Sequence, residues 1–221
     1  MPDATFLFAD IAGFTALTEA HGDEEAAELV ADFCGAVRAD LPEYGGEQVK
    51  TIGDAVMVRV PDPSQAVLLG LHIAHDVMQG HGAPAVRVGL HHGPAIERER
   101  DYFGAAVNLA ARVSAAATAG EVLLTAQTAE LAPSIDGVLY ESRGRQTLRN
   151  VRDPVELVAA VREGQRAGGS GLAIDPVCRM AVDPDHSAGR LTYEDTAYFF
   201  CSLTCAGEFA RRPERYLEAA G

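Results

Sequence analysis

Basic residues are scarce in this chain: 18 Lys and Arg stand against 32 Asp and Glu in 221 residues, a net charge of −14. A phosphate-binding surface needs a basic stripe, so this balance excludes nucleic acid as a main partner. Lysine is almost missing. Lys50 is the one lysine, and the other 17 basic residues are arginines. Chance is one reading of this; the functional one is that position 50 needs a compact ammonium on a flexible stem, which a planar guanidinium does not replace. Long apolar runs are absent too: none approaches the roughly 18 residues of a membrane span. The N-terminus lacks a basic-then-apolar export pattern. These absences predict a soluble, cytoplasmic protein with no membrane partner. No internal repeat is visible. Cysteine is limited to four residues, unevenly placed. Cys34 falls in the apolar periodicity of a helix and reads as core. Cys178, Cys201 and Cys205 crowd the last segment, an odd trio that suggests metal or redox chemistry more than structural disulfides.

What is present is enough apolar material, 48% of residues, to bury a core. The length suits one ordinary domain with a small appendage. The stretch Glu163–Gly171 holds four glycines and a serine among nine residues, the composition of a flexible linker. The expected division is a domain over 1–162, a linker over 163–173 and a small module over 174–221.

In the first part strands and helices alternate. Thr5–Ala9 reads as a strand, and Asp23–Leu41 as an amphipathic helix with acids in its first turn. Gln48–Ile52 and Ala55–Val60 read as strands joined by a tight turn at Gly53-Asp54. Pro63–Met78 reads as a helix, Ala85–His91 as a strand, Ala105–Ala117 as a helix and Val122–Thr125 as a strand, with Pro154–Val161 closing the domain. The opening order β-α-β-β-α-β predicts an α+β, ferredoxin-like core with its helices on one face of the sheet.

Asp10 ends the first strand and Asp54 sits in the hairpin turn. The first and third elements of such a sheet lie side by side, so the two carboxylates can converge at one edge. Close carboxylates repel unless a cation lies between them, and Mg²⁺ favours one or two carboxylates completed by phosphate oxygens and water. An aspartate at either place also serves as a cap or turn residue.

Three strings occur in order: Phe8-Ala9-Asp10-Ile11-Ala12-Gly13-Phe14-Thr15, Lys50-Thr51-Ile52-Gly53-Asp54-Ala55-Val56-Met57, and Asp101-Tyr102-Phe103-Gly104 continuing through Asn108 to Arg112. As a set they resemble the class III adenylyl/guanylyl cyclase catalytic domain, from about Thr5 to Val161. The resemblance implies that Asp10, Asp54 and the backbone carbonyl of Ile11 hold two Mg²⁺ (or Mn²⁺). It implies that Asn108 orients the ribose and that Arg112 stabilises charge at the α-phosphate. These two residues stand four apart and share a helix face. The family's Leu-Lys-Gly string, whose lysine meets the terminal phosphates, is here Leu148-Arg149-Asn150, with the charge kept and the glycine lost.

Lys50 and Asp101 match the family's base-reading positions. Adenine offers an acceptor at N1 and a donor at N6; lysine only donates and ionised aspartate only accepts, so the pair suits ATP and opposes GTP. Guanylyl cyclases typically carry Glu and Cys there. The expected activity is conversion of ATP to 3′,5′-cyclic AMP and pyrophosphate by a homodimer with shared sites. Each site would take Asp10 and Asp54 from one chain and Lys50, Asp101, Asn108 and Arg112 from the other. The alternative is a non-catalytic nucleotide or metal sensor on a cyclase scaffold, which has no use for Arg112.

The string His21-Gly22-Asp23-Glu24-Glu25 bears a faint likeness to the Gly-Gly-Asp-Glu-Phe motif of diguanylate cyclases, but it opens a helix and reads as N-terminal capping. His72 and His75 read as residues of a helix, and His91-His92 end a strand without an assigned role.

Residues 174–221 carry Asp175-Pro176-Val177-Cys178, then Tyr198-Phe199-Phe200-Cys201 and Cys205, then Phe209, Pro213 and Tyr216. This resembles the YHS domain, a small heavy-metal-associated module. So short a domain buries little surface and often needs a metal. Three thiolates favour Zn²⁺ or Cu⁺, with His186 as the candidate fourth ligand. Three reduced core cysteines are the other reading. The joining of both parts in one chain motivates the expectation that metal in the tail modulates cyclase output.

Overall fold

The structure is a computed structural model that describes residues 3–78, 83–164 and 173–217. In chain order these form β1 (Asp3–Ile11), α1 (Phe14–His21), α2 (Asp23–Asp40), β2 (Glu47–Ile52), β3 (Ala55–Val60), α3 (Pro63–His75) and β4 (Val86–Pro94). Then follow β5 (Ile96–Arg98), β6 (Asp101–Phe103), α4 (Ala105–Ala116), β7 (Val122–Thr125), α5 (Ala126–Leu131), β8 (Val138–Gln146) and β9 (Val155–Arg162). The C-terminal part holds β10 (Ala173–Ile174), β11 (Ala181–Val182), β12 (Gly189–Tyr193), β13 (Thr196–Phe200), α6 (Leu203–Arg211) and α7 (Pro213–Leu217). Most of the expected linker, residues 165–172, lies outside the described residues.

Two compact units emerge. The first comprises Met1–Asp10, Phe33–Val77 and Val86–Ser170; the second comprises Ile11–Asp32, Met78–Ala85 and Gly171–Gly221. The division differs from the sequence expectation in two segments, Ile11–Asp32 and Met78–Ala85, which group with the C-terminal module.

In the first unit a seven-stranded sheet runs β2-β3-β1-β4-β7-β9-β8. Its first four strands have the ferredoxin-like order. β1 is apolar along both faces and buried from Ala4 to Ala9, as a central strand must be. It pairs antiparallel with β3, and β4 runs parallel to β7. Asp62 caps α3, accepting from the backbone N–H of Ser64 at 2.7 Å and Gln65 at 3.1 Å, with Pro63 in the first turn.

The helices do not all lie on one face. Gly70 of α3 meets Val88 and Leu90 of β4, whereas Gly89 of β4 meets Ser114 of α4. Alternate residues of a strand point to opposite faces, so α3 and α4 cover opposite sides of β4. A side chain at Gly89 would place its Cβ 2.0 Å from the Ser114 backbone nitrogen, so this glycine sets how closely α4 approaches the sheet. On the α4 side Phe6, Phe8, Met57, Tyr102, Ala106, Val107 and Ala110 form one apolar cluster.

The second unit has its own core. Phe200 and Phe209, fully buried with ring centroids 5.3 Å apart, pack with Val177, Cys178, Met180 and Cys205, and with Leu17 of α1 and Ala26 of α2. The helical state of Phe14–His21 follows from this burial: the segment is short, and Leu17 is its one fully covered residue.

Candidate active site and thiol cluster

Asp10 lies near the end of β1 opposite Ala55 of β3, so Asp54, in the turn before β3, is beside it. Burial first, and then its hydrogen bond to the Asp10 carboxylate, raise the Asp54 carboxyl to about 6. Arg87 of β4 donates to Asp10 Oδ2 from Nε at 2.8 Å and again from its terminal nitrogen. Sequence reading had not found Arg87; a lone arginine on a strand carries no signal of the carboxylate it will face. Ile11, the last residue of β1, is buried. Two close carboxylates with a shared proton, and only hard oxygen donors between them, fit a divalent cation of the Mg²⁺ or Mn²⁺ class.

Lys50 and Asp101 meet directly. Lys50 Nζ donates to both carboxylate oxygens of Asp101, at 2.6 and 2.8 Å. The pair comes from β2 and from a small hairpin, β5–β6, whose two-residue turn holds Glu99 and Arg100 in the left-handed region. The lysine hydrogen bonds hold the Asp101 carboxyl below the usual carboxylate range. Lys50 Nζ also lies 5.6 Å from the centre of the Phe103 ring, which is half exposed. Behind them Tyr102 is anchored by a hydroxyl bond to Glu47 at 3.1 Å and by its ring contact with Phe6.

Asn108 and Arg112 lie on α4, exposed and half-buried respectively, while Ala106, Val107 and Ala110 bind the helix to the sheet. Arg149 is exposed in the β8–β9 connection. Asn150 beside it adopts φ 61°. That is the left-handed conformation a glycine takes freely and asparagine takes at small cost, so the backbone shape survives the loss of glycine. His91 is buried, bonded to Thr125 Oγ1 at 2.9 Å, and burial pushes it down to about 4; it is a neutral core histidine.

In the second unit Cys178, Cys201 and Cys205 converge. Cys201 Sγ lies 3.3 Å from Cys178 Sγ and 3.8 Å from Cys205 Sγ. Thiol donors from Cys178 and Cys201 push the Cys205 thiol down to about 2, and Cys178 is pushed up because its proton is held in the cluster. His186 does not join them: it is exposed and bonded through Nδ1 to Asp183 at 2.6 Å, in a loop turned to solvent. The histidine that does is His21, whose Nε2 lies 3.9 Å from Cys201 Sγ. Its nearness is a product of folding across most of the chain, and its capping context in the sequence concealed it.

Residues 1–159 match the family "Adenylate and Guanylate cyclase catalytic domain", and residues 173–220 match the YHS domain. A pH-sensitive adenylate cyclase of Mycobacterium tuberculosis is 37% identical over 174 residues, which cover 77% of this chain and 44% of that protein. An adenylate cyclase of Streptomyces coelicolor is 38% identical over 124 residues, covering 56% of this chain and 32% of that one. The chain thus spans less than half the length of these relatives. Among solved structures, the adenylyl cyclase CyaB of P. aeruginosa superposes with a TM-score of 0.61 at 25% identity, covering 76% of this chain and 97% of that one. An adenylate cyclase of Trypanosoma brucei does so at 0.63 and 27%, covering 75% and 91%. The strings around Asp10, Asp54 and Arg112, the sheet order and these matches agree: the chain belongs to the family of adenylate and guanylate cyclase catalytic domains, with a YHS domain following in the same polypeptide.

Proposed function

We propose that this chain is an adenylate cyclase, converting ATP to 3′,5′-cyclic AMP and pyrophosphate. The observation that carries the choice of ATP is the Lys50–Asp101 pair, a donor beside an acceptor. Lys50 donates to adenine N1 and Asp101 accepts from the N6 amino group; guanine presents the reverse edge and leaves both groups unpaired. Asn108 orients the ribose. The 3′-hydroxyl gives its proton to solvent as its oxygen forms a bond to the α-phosphorus, the bond from that phosphorus to the bridging oxygen breaks, and pyrophosphate leaves with the electron pair. Arg112 meets the charge that grows on the α-phosphate, and Arg149 the terminal phosphates. Asp10, Asp54 and the Ile11 carbonyl would hold two Mg²⁺ (or Mn²⁺), which would supply acidification of the 3′-hydroxyl and neutralisation of the leaving group.

We assign the catalytic part to residues 1–162 and the YHS-like module to 174–221, with Zn²⁺ or Cu⁺ at the thiol cluster modulating output. No helix among the described residues is long and apolar enough to cross a membrane, which accords with a cytoplasmic enzyme. The proposed assembly is a homodimer with two shared sites.

The test is an assay of the purified chain with ATP and with GTP, each with Mg²⁺ and Mn²⁺. Cyclic AMP should form from ATP faster than cyclic GMP forms from GTP; the reverse order would refute the assignment. Shared sites are tested by mixing Asp54→Ala and Arg112→Ala chains, each inactive alone. Random pairing makes half the dimers mixed, each with one intact site, so about a quarter of the wild-type rate should return. A dead mixture would rule out sharing.

A further inference from the structure

We infer that His21 is the fourth ligand of a closed Cys₃His metal site with Cys178, Cys201 and Cys205, suited to a tetrahedral ion of the Zn²⁺ class. The site is therefore not a property of the C-terminal module alone. Its imidazole comes from the helix that follows directly on β1, the strand bearing Asp10.

Geometry is the first argument. The three Sγ atoms and a ring nitrogen of His21 all lie within 4.8 Å of one another. A tetrahedron with Zn–S near 2.3 Å and Zn–N near 2.0–2.1 Å has edges of roughly 3.6–3.8 Å. The separations of 3.3, 3.8 and 3.9 Å fall around that value, and none of the others exceeds 4.8 Å. All four cysteines of the chain are unpaired, and three thiols with an imidazole are a ligand set that no single disulfide satisfies.

The surroundings supply the second argument. Metal-bound histidines commonly turn their other nitrogen to a carboxylate, which fixes the ring and its tautomer. Glu25, one turn along in α2, places Oε1 3.4 Å from His21 Nδ1, leaving Nε2 toward the sulfurs. Fully buried Asp175 accepts from the backbone N–H of Val177 at 2.8 Å, Cys178 at 3.4 Å and Cys201 at 2.8 Å, tying two ligand-bearing segments together. Ser202 caps α6 by accepting from Cys205 N–H at 3.1 Å, which sets the third. Cys178 and Cys205 are buried, and the His21 side chain is only 15% exposed, so the site is closed in the manner of structural zinc centres. His186, by contrast, is engaged with Asp183 and open to solvent.

The experiment uses the full chain, stripped of metal and reduced, titrated with Zn²⁺ against a chromogenic chelator and separately with Co²⁺. The wild type should bind one equivalent and give the thiolate-to-cobalt charge transfer and intense visible bands of a tetrahedral S₃N site. His21→Ala should lower Zn²⁺ affinity by at least about 10-fold, the lower end of what loss of even an outer-shell partner costs. His186→Ala should leave affinity unchanged. Should His21→Ala impair folding, His21→Cys keeps four ligands, and its Co²⁺ spectrum should gain a fourth thiolate contribution and shift to longer wavelength. No stoichiometric binding, wild-type affinity and spectrum in His21→Ala, an unaltered Co²⁺ spectrum in His21→Cys, or a loss confined to His186→Ala would each overturn the inference. None of these readouts depends on cyclase activity.

Discussion

Lys50 Nζ sits within 2.8 Å of both oxygens of Asp101, although the two residues are 51 positions apart and on separate small elements, β2 and β6. The ammonium that this sequence keeps at a single position is paired, in the fold, with the carboxylate proposed to read the base beside it. Replacing Lys50→Ala should cost about 10–100-fold in kcat/KM for ATP, the equivalent of roughly 1.5–3 kcal/mol for a lost charged hydrogen bond. The double variant Lys50→Glu, Asp101→Cys should raise the GTP to ATP ratio. Steady-state rates with both nucleotides check this, and an unchanged ratio would contradict base reading by this pair.

Gly89 controls where α4 rests. Since a Cβ there would sit 2.0 Å from backbone, Gly89→Ala should push the helix outward and cost about 1–3 kcal/mol, the usual range for overpacking. Because α4 carries Asn108 and Arg112, the surviving folded enzyme should also turn over more slowly. Gly35→Ala is the contrasting variant: it lies inside α2 with nothing within 4 Å of a new Cβ, and should stabilise by about 0.5–1 kcal/mol. Thermal melts of both variants, with kcat for the first, decide the matter.

Asn150 tests the altered phosphate-side string. With φ at 61°, Asn150→Gly should be neutral or slightly stabilising and leave activity intact. Asn150→Val should cost about 1–2 kcal/mol, the penalty of the left-handed region for a residue with a branched Cβ. Its KM for ATP should rise if the shape of this turn aims Arg149. An active, fully stable valine variant would show that the conformation is unimportant.

Asp76 provides a pH signature of the first unit. Hydrogen bonds from Arg162 hold its carboxyl below the ordinary value of 3.8, and His72 contributes a contact at 3.2 Å. A carboxyl depressed in the fold contributes stability that is present above the unfolded value and disappears as pH falls through the folded one. Asp76→Asn should therefore melt about 2–4 °C lower at pH 7, the shift that about 1 kcal/mol produces in a chain of this size after allowance for solvent screening. The gap between variant and wild type should close only below pH 3.8. A gap constant down to that range and beyond would mean the ion pair is not its source.

Much of the first unit was legible because its signals are local. The continuous apolar run of β1, the Gly53-Asp54 turn and the four-residue spacing of Asn108 and Arg112 each specify a strand, a hairpin or a helix face without reference to distant chain. β8 was missed because it is largely exposed and mostly polar, so no apolar alternation marks it. Helices on both faces of β4 were missed because the pattern along α3 and α4 tells that each has a buried side, not which side of the sheet receives it. The choice falls to Gly89, whose missing side chain is meaningful only once Ser114 is seen against it.

The amino-acid sequence alone determined the family and the order of the main core elements, and it singled out Asp10, Asp54, Lys50, Asp101 and Arg112 as the residues of the proposed chemistry. Residue type and spacing along one segment are sufficient for each of these. Only the tertiary structure decided which distant groups meet: Arg87 with Asp10, and His21, not His186, with the three cysteines. Such pairings are set by how packed elements cross in space. A side chain's partner there is chosen by geometry accumulated over the whole fold, and no short window of residues encodes it.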